Sequence, residues 1–116
     1  MSPEPFVSVI VPVRNEIRTI DRCLSALVDQ DYPQSNVEIL VVDGASDDGT
    51  PEAVRQRAKA APHVRLLANP ERHAASGMNV GIAAARGEIV ARVDGHAIVP
   101  PAFLSRTVEA LARRRA

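Results

Sequence analysis

Two aspartates stand where they could do chemistry. Asp43 ends the apolar run Glu38-Ile39-Leu40-Val41-Val42, and Asp94 ends Glu88-Ile89-Val90-Ala91-Arg92-Val93. A carboxylate at the point where a buried strand meets solvent can accept hydrogen bonds from ribose hydroxyls or from a base N–H. A second acid or an imidazole beside it can hold a divalent cation against phosphate oxygens. His96 follows Asp94 by two residues, and in an extended or turn conformation the pair can converge on one ion. Asp43 opens the turn Asp43-Gly44-Ala45-Ser46-Asp47-Asp48-Gly49-Thr50, whose Asp, Ser and Gly are equally the residues of an ordinary bend or helix cap. Arg14-Asn15-Glu16, after the first apolar run, supplies further charge and is also readable as a plain helix start.

The elements that must position these groups alternate along the chain. Strands are expected at Phe6 to Val11, ending at Pro12, and then at Glu38 to Val42, Val64 to Leu67 and Glu88 to Val93. Each is followed by helical periodicity. Ile17, Ile20, Leu24, Leu27 and Val28 predict a helix to about Gln30, capped by Asn15 or Thr19. Thr50-Pro51 opens a helix through about Ala61. Ser76 to Arg86 predicts a small-residue helix with Met78, Ile82 and Ala85 on one side, its Gly77 and Gly81 allowing close packing on the sheet, and Gly87 as its stop. Pro100-Pro101 opens a last helix with Leu104, Val108 and Leu111 as its stripe and Arg113-Arg114-Arg115 in the last turn, where basic side chains complement the helix dipole.

Strands alternating with helices predict an α/β fold with a parallel sheet covered by helices. With right-handed connections, the first strand lies between the second and the fourth. Pro12 to Glu16, Asp43 to Asp48 and Asp94 to His96 then share one crevice at the carboxyl ends of the strands.

Composition narrows the function classes. The chain has 116 residues, so it is one domain at most. Basic and acidic residues balance at 14 each and aromatics are 3%, which leaves neither the electrostatic footprint nor the stacking platforms of a nucleic-acid binder. The single cysteine, Cys23, falls on a helical apolar stripe and reads as a small buried hydrophobe. Phe6 to Val13 is far shorter than the ~20 residues of a membrane span, so the chain reads as soluble and cytoplasmic. Neither a Gly-x-Gly-x-x-Gly nor a Gly-Lys-Ser/Thr sequence is present, and the dinucleotide and P-loop readings lose their main residues.

Four segments, in order, carry a family resemblance: Val9-Ile10-Val11-Pro12-Val13-Arg14-Asn15-Glu16, Val41-Val42-Asp43-Gly44-Ala45-Ser46-Asp47-Asp48-Gly49-Thr50, Asn79-Val80-Gly81-Ile82-Ala83 to Gly87, and Val93-Asp94-Gly95-His96. The chain resembles the nucleotide-binding half of a family 2 glycosyltransferase of the GT-A fold, a Rossmann-like parallel sheet flanked by helices. Its Asp94-Gly95-His96-Ala97 is most similar to bacterial exopolysaccharide, succinoglycan-type glucosyltransferases.

The resemblance implies that residues 1–116 form the donor half of such a domain. Pro12, Arg14 and Glu16 would line the base and ribose pocket, and Asp43 would accept the uracil N3–H of a UDP-sugar. Ser46 and Asp47 would shape the rim, and Arg72 or His73 would approach the base or pyrophosphate. Asn79 would brace the loop from its helix, and Asp94 would meet the ribose and the metal. His96 stands where the family has the second Asp of its Asp-x-Asp motif, which favours Mn²⁺ over Mg²⁺.

The implied reaction is sugar transfer with inversion to a glycan or lipid-linked acceptor, in exopolysaccharide or cell-surface glycan synthesis at the cytoplasmic face of a membrane. The catalytic base lies in a second half, so this chain alone would bind donor without turnover. An unpaired Glu88 to Val93 edge predicts a homo-oligomer. The competing readings are a non-catalytic nucleotide-binding module and a phospho-acceptor or flavin module. The last of these fits poorly with Lys59, on a predicted helix, as the one lysine.

Overall fold

The computed structural model describes residues 4–115. Nine elements follow in order: β1 (Val7–Val13), α1 (Ile20–Val28), a 3-10 turn (Gln34–Asn36), β2 (Val37–Asp43), α2 (Thr50–Ala60), β3 (Val64–Ala68), α3 (Ala74–Ala84), β4 (Ile89–Arg92) and α4 (Phe103–Arg115). The strands form one parallel sheet in the order β3-β2-β1-β4, the order expected from right-handed crossovers. β1 and β2 are the central pair, and every residue of β2 is buried, as a strand covered on both faces requires. Val9, Val11, Ile39 and Val41 pack with Ile20, Leu24 and Leu27 of α1, Val54 of α2 and Leu104 of α4 in the main core.

The limits of β1, α1 and α3 differ from those expected, for tertiary reasons. β1 does not end at Pro12 but continues to Val13. The carbonyl of Ile10 accepts from Val93 N–H, so alternate residues of β1 face β4, and the missing N–H of Pro12 falls beyond Arg92, where β4 ends. α1 starts at Ile20, with Thr19 as N-cap, and ends at Val28 rather than Gln30. Asn15 has φ 53° and Ile17 is 41% exposed, so residues that read as a helical turn form a loop. α3 runs over Ala74–Ala84 rather than Ser76 to Arg86, and the expected stripe is not its packing face. Gly77 and Gly81 are its buried residues, while Ile82 is 54% exposed. A Cβ on Gly81 would lie 2.5 Å from Cγ2 of Ile10, so the helix backbone rests directly on β1.

At the amino end of the sheet a polar cluster is sealed in. Glu38 is 1% exposed; its Oε2 accepts from Ser8 Oγ (2.6 Å) and Arg86 N–H (2.7 Å), and its Oε1 accepts from the Arg86 guanidinium at 3.2 Å. Ser8 Oγ in turn accepts from Gly87 N–H at 2.8 Å, and Arg65 lies 3.7 Å from Oε1. Burial works against ionisation of Glu38, yet the hydrogen bonds from Ser8 and Arg86 and the Arg86 charge hold its carboxyl below the usual range. The α3–β4 connection is thereby tied to the two central strands.

Candidate functional site

A crevice opens at the carboxyl ends of the strands, with a cavity of about 300 Å³. Its walls come from the end of β1 (Pro12, Val13) and the loop after it (Arg14, Glu16), from Val42 of β2, from the β3–α3 loop (Asn69, Arg72, His73), and from Arg92 of β4 and the turn that follows (Asp94, Gly95, His96). Ala74 and the N-cap His73 bring the start of the eleven-residue α3, the positive end of its dipole, to the same wall. Arg14, Arg72 and Arg92 outnumber Glu16 and Asp94 among the lining charges, which favours an anionic guest.

Three loops surround this crevice, and two of them, β1–α1 and β2–α2, hold each other in shape. Asn15 N–H donates to Ser46 Oγ (2.8 Å), Asp47 N–H to Asn15 Oδ1 (2.9 Å), Glu16 N–H to Thr50 Oγ1 (3.0 Å) and Ile17 N–H to Asp48 Oδ2 (3.2 Å). A hydrogen bond from Thr50, then those from Ile17 and Thr50 backbone N–H, lower the Asp48 carboxyl below its ordinary value. Asn15, Ala45 and Arg72, one in each of the three loops, adopt positive φ of 53°, 59° and 72°. Side chains other than glycine enter that region at a cost, and such strain concentrates where loops are built for binding. Gly95 belongs to the same wall: a Cβ there would lie 2.6 Å from Val13 Cγ1, so the Asp94-Gly95-His96 turn lies flat on β1.

The structure sorts the expected site residues into groups. Pro12, Arg14, Glu16, Arg72, Asp94 and His96 meet in the crevice. Asp43, expected in the same crevice, is not in its lining: its side chain alternates with that of Val42 and borders a separate cleft with Pro51, Arg55 and Leu66 to Ala68. Its Oδ2 accepts from Ser46 N–H at 3.1 Å, while its Oδ1 is the buried side-chain oxygen without a hydrogen-bond partner among the described residues. A buried acceptor left open costs stability unless a ligand fills it. Ser46 and Asp47 lie outside the cavity lining and act as loop ties.

Asn79 is exposed on α3 and also outside the lining. The bracing expected of it is done by Asn69, 3% exposed. Its Nδ2 donates to His73 O (2.9 Å) and Ser76 Oγ (3.1 Å), and its Oδ1 accepts from Glu71 N–H (3.2 Å). Asn69 directly follows the end of β3, so the strand-end reasoning that singled out Asp43 and Asp94 applies to it equally.

The groups expected to hold a cation are a partial set. Asp94 is bound to Arg92 (3.2 Å) and His96 Nδ1 lies 3.6 Å from Glu16 Oε1. Among the described residues no group of three or more His, Cys, Asp or Glu is arranged to hold a metal ion. Asp94 and His96 could therefore supply one carboxylate and one imidazole, a donor set suited to Mn²⁺ if ligand oxygens completed it. Cys23 is no competitor: its thiol, 3.5 Å from Asp94 O, is raised to about 11 by burial and by the nearby Glu16 and Asp94 carboxylates.

Comparison with known proteins agrees with this geometry. The chain is similar to the glycosyltransferase AglE of Haloferax volcanii, 41% identical over 108 residues that cover 92% of this chain and 36% of the relative. It is 31% identical to the succinoglycan biosynthesis protein ExoA of Rhizobium meliloti, covering 87% of this chain and 31% of that protein, which agrees with the succinoglycan-type resemblance of its motifs. Among solved structures, the mannosyltransferase PcManGT of Pyrobaculum calidifontis, in complex with GDP-Man and Mn²⁺, superposes with a TM-score of 0.89 at 40% identity, covering 96% of this chain and 34% of that one. S. aureus TarS in complex with UDP gives 0.83 at 26% identity, covering 92% and 32%. The chain thus spans about a third of the length of the proteins it matches. The sheet and its flanking helices have the GT-A fold, the glycosyl transferase family 2 model matches residues 8–116, and the chain belongs to that family.

Proposed function

We propose that this chain holds the nucleotide-sugar donor of a family 2 glycosyltransferase. The observation that carries the reading is Asp43 Oδ1, buried without a partner at the carboxyl end of the central sheet. That oxygen is an acceptor for the imide N–H of a nucleobase, and Pro12 and Glu16 offer the neighbouring surface for base and ribose. Arg72, Arg92 and the start of α3 would receive the diphosphate, Arg through paired N–H donors and the helix through its free N–H groups.

Asp94 and His96 are the residues that would hold a divalent cation, with Mn²⁺ preferred. When bound, the ion would offset the charge that grows on the departing diphosphate. Arg14 donates to Gly44 O at 3.0 Å and thereby steadies the junction between the base side and the sugar side.

In the complete enzyme the reaction would be displacement at the anomeric carbon with inversion, a general base deprotonating the hydroxyl of a glycan or lipid-linked acceptor. Within this chain Glu16 faces His96 and Asp94 faces Arg92, so none of the crevice acids is assigned as that base. Donor binding without turnover is the expected behaviour of residues 1–116, and the cytoplasmic side of a membrane is the expected location. No helix among the described residues is long and apolar enough to cross a membrane.

The family resemblance favours UDP as the nucleotide. A second reading has a specific basis: PcManGT, the neighbour at 40% identity, is in complex with GDP-Man, and guanine also presents an imide-type N–H to a carboxylate. Calorimetric titration with UDP and with GDP, each with and without Mn²⁺, separates the two. Binding of one nucleotide, strengthened by Mn²⁺ and weakened about tenfold or more in Asp43→Asn and in Asp94→Asn, is the expected result. Binding of neither would overturn the donor-half reading. Binding that is indifferent to Mn²⁺ and to Asp94 would support a nucleotide-binding module without transferase chemistry.

A further inference from the structure

Of the arginines that line the crevice, Arg14 donates to Gly44 O at 3.0 Å and Arg92 meets Asp94 at 3.2 Å. Arg72 is different. Among the described residues its guanidinium forms no ion pair, while its backbone is held in the left-handed region at φ 72°. A residue other than glycine stays there only where its surroundings over-determine the conformation.

Asn69 supplies that constraint. Its carbonyl accepts from Arg72 N–H at 3.3 Å, its Oδ1 accepts from Glu71 N–H at 3.2 Å, and its Nδ2 donates to His73 O at 2.9 Å. One side chain thus binds both the residue before Arg72 and the residue after it. Nδ2 also donates to Ser76 Oγ (3.1 Å), and Ser76 Oγ donates to His73 O (2.8 Å), which fastens the loop to the first turn of α3. Asn69 is itself anchored to the sheet, its N–H donating to Asp43 O at 2.8 Å. Gly44 closes the loop in from the other side: a Cβ there would lie 2.8 Å from Arg72 O. Little of the Asn69 amide is left for a ligand. Although Asn69 borders the cavity, it is 3% exposed and both amide atoms are committed to the loop.

We propose that Asn69 is a positioning residue of this site, holding Arg72 so that its guanidinium meets the phosphates of the nucleotide, a role that rests on the donor reading of the crevice. A guanidinium on a fixed backbone gives up less freedom when it forms its paired hydrogen bonds with phosphate. The gain is confined to the charged part of the ligand, because base and ribose fall to Asp43, Pro12 and Glu16.

Two ligands separate this role from a merely structural one. UDP binding is read by calorimetry and uridine binding by nuclear magnetic resonance titration, or GDP and guanosine where GDP is the nucleotide held. Arg72→Gln should weaken diphosphate binding about tenfold or more and change nucleoside binding by less than about twofold. Asn69→Ala should weaken the diphosphate about fivefold, again sparing the nucleoside. The double variant should bind no more weakly than Arg72→Gln alone, because Asn69 acts through Arg72. Ser76→Ala removes one tie and places a strong helix former in α3, so it decides the matter should Asn69→Ala not fold. It should weaken the diphosphate about threefold, and an unchanged affinity would overturn the proposal. An Asn69→Ala chain that loses nucleoside and diphosphate alike, or whose loss adds in full to that of Arg72→Gln, would overturn the positioning role and leave the donor reading in place. A wild-type chain that binds neither UDP nor GDP would overturn both.

Discussion

The two ends of the sheet each bury a carboxylate from β2 and treat it in opposite ways. At the amino end Glu38 has both oxygens engaged, by Ser8, by the backbone and guanidinium of Arg86, and by Arg65. At the carboxyl end Asp43 has one oxygen engaged by Ser46 and the other left open. Loops around Asp43 carry three strained non-glycine residues, and the arginines beside them line a cavity. The closed end ties the strands together; the open end leaves a buried acceptor unpaired, the acceptor that the proposed donor site would use.

The sharpest way to break this contrast is Glu38→Ala. It leaves the Ser8 hydroxyl and the Arg86 backbone N–H without their acceptor, while the exposed Arg86 and Arg65 guanidiniums return to water, and should destabilise the domain by about 2–3 kcal/mol. Urea denaturation reads this, and a loss under about 1 kcal/mol would mean the cluster is solvated in practice.

Next in size, Asp43→Asn should weaken nucleotide binding by roughly tenfold to a hundredfold, the worth of a charge-assisted hydrogen bond, with little change in urea midpoint. A stability loss as large as that of Glu38→Ala would erase the distinction between the two ends.

The pH dependence sharpens the comparison further. The Glu38 carboxyl is held below the usual carboxylate range, so its contribution is fully present at neutral pH and lost as pH falls through the lower folded-state value. Wild type and Glu38→Gln should therefore differ in stability at neutral pH and converge in acid. Parallel stability curves across that range would contradict the assignment.

The smallest effect is expected at Ala45, exposed at φ 59°. Ala45→Gly relieves the left-handed conformation but adds freedom to the unfolded chain, and the net change should stay within about 1 kcal/mol. Nucleotide affinity should fall slightly if the strained loop is preorganised. A rise in affinity would argue against preorganisation.

Much of this was legible in the residues. Apolar runs with helical periodicity between them are read locally, and handedness then places β1 between β2 and β4. Strand ends likewise point to Asp43 and Asp94. Asn69 was open to the same reading, but it stood in a polar loop whose role emerges only when His73 and Ser76 fold back onto it. Of the two caps offered for α1, Thr19 is the one used, because side chains of the β2–α2 turn engage the N–H groups of Asn15, Glu16 and Ile17 and hold them in a loop. On α3 the close packing expected of Gly77 and Gly81 is what the structure shows, whereas the stripe of Met78, Ile82 and Ala85 stays partly or largely exposed, because contact with Ile10 turns the glycines to the sheet.

The sequence by itself determined the four strands, their alternation with helices and the acids that close two of them, because periodicity and turn chemistry act over a few residues. Only the tertiary structure decided which buried carboxylate is satisfied. The partners of Glu38 come from Ser8 and Arg86, 30 and 48 residues away, and no local pattern announces that they will converge on it while leaving Asp43 Oδ1 free.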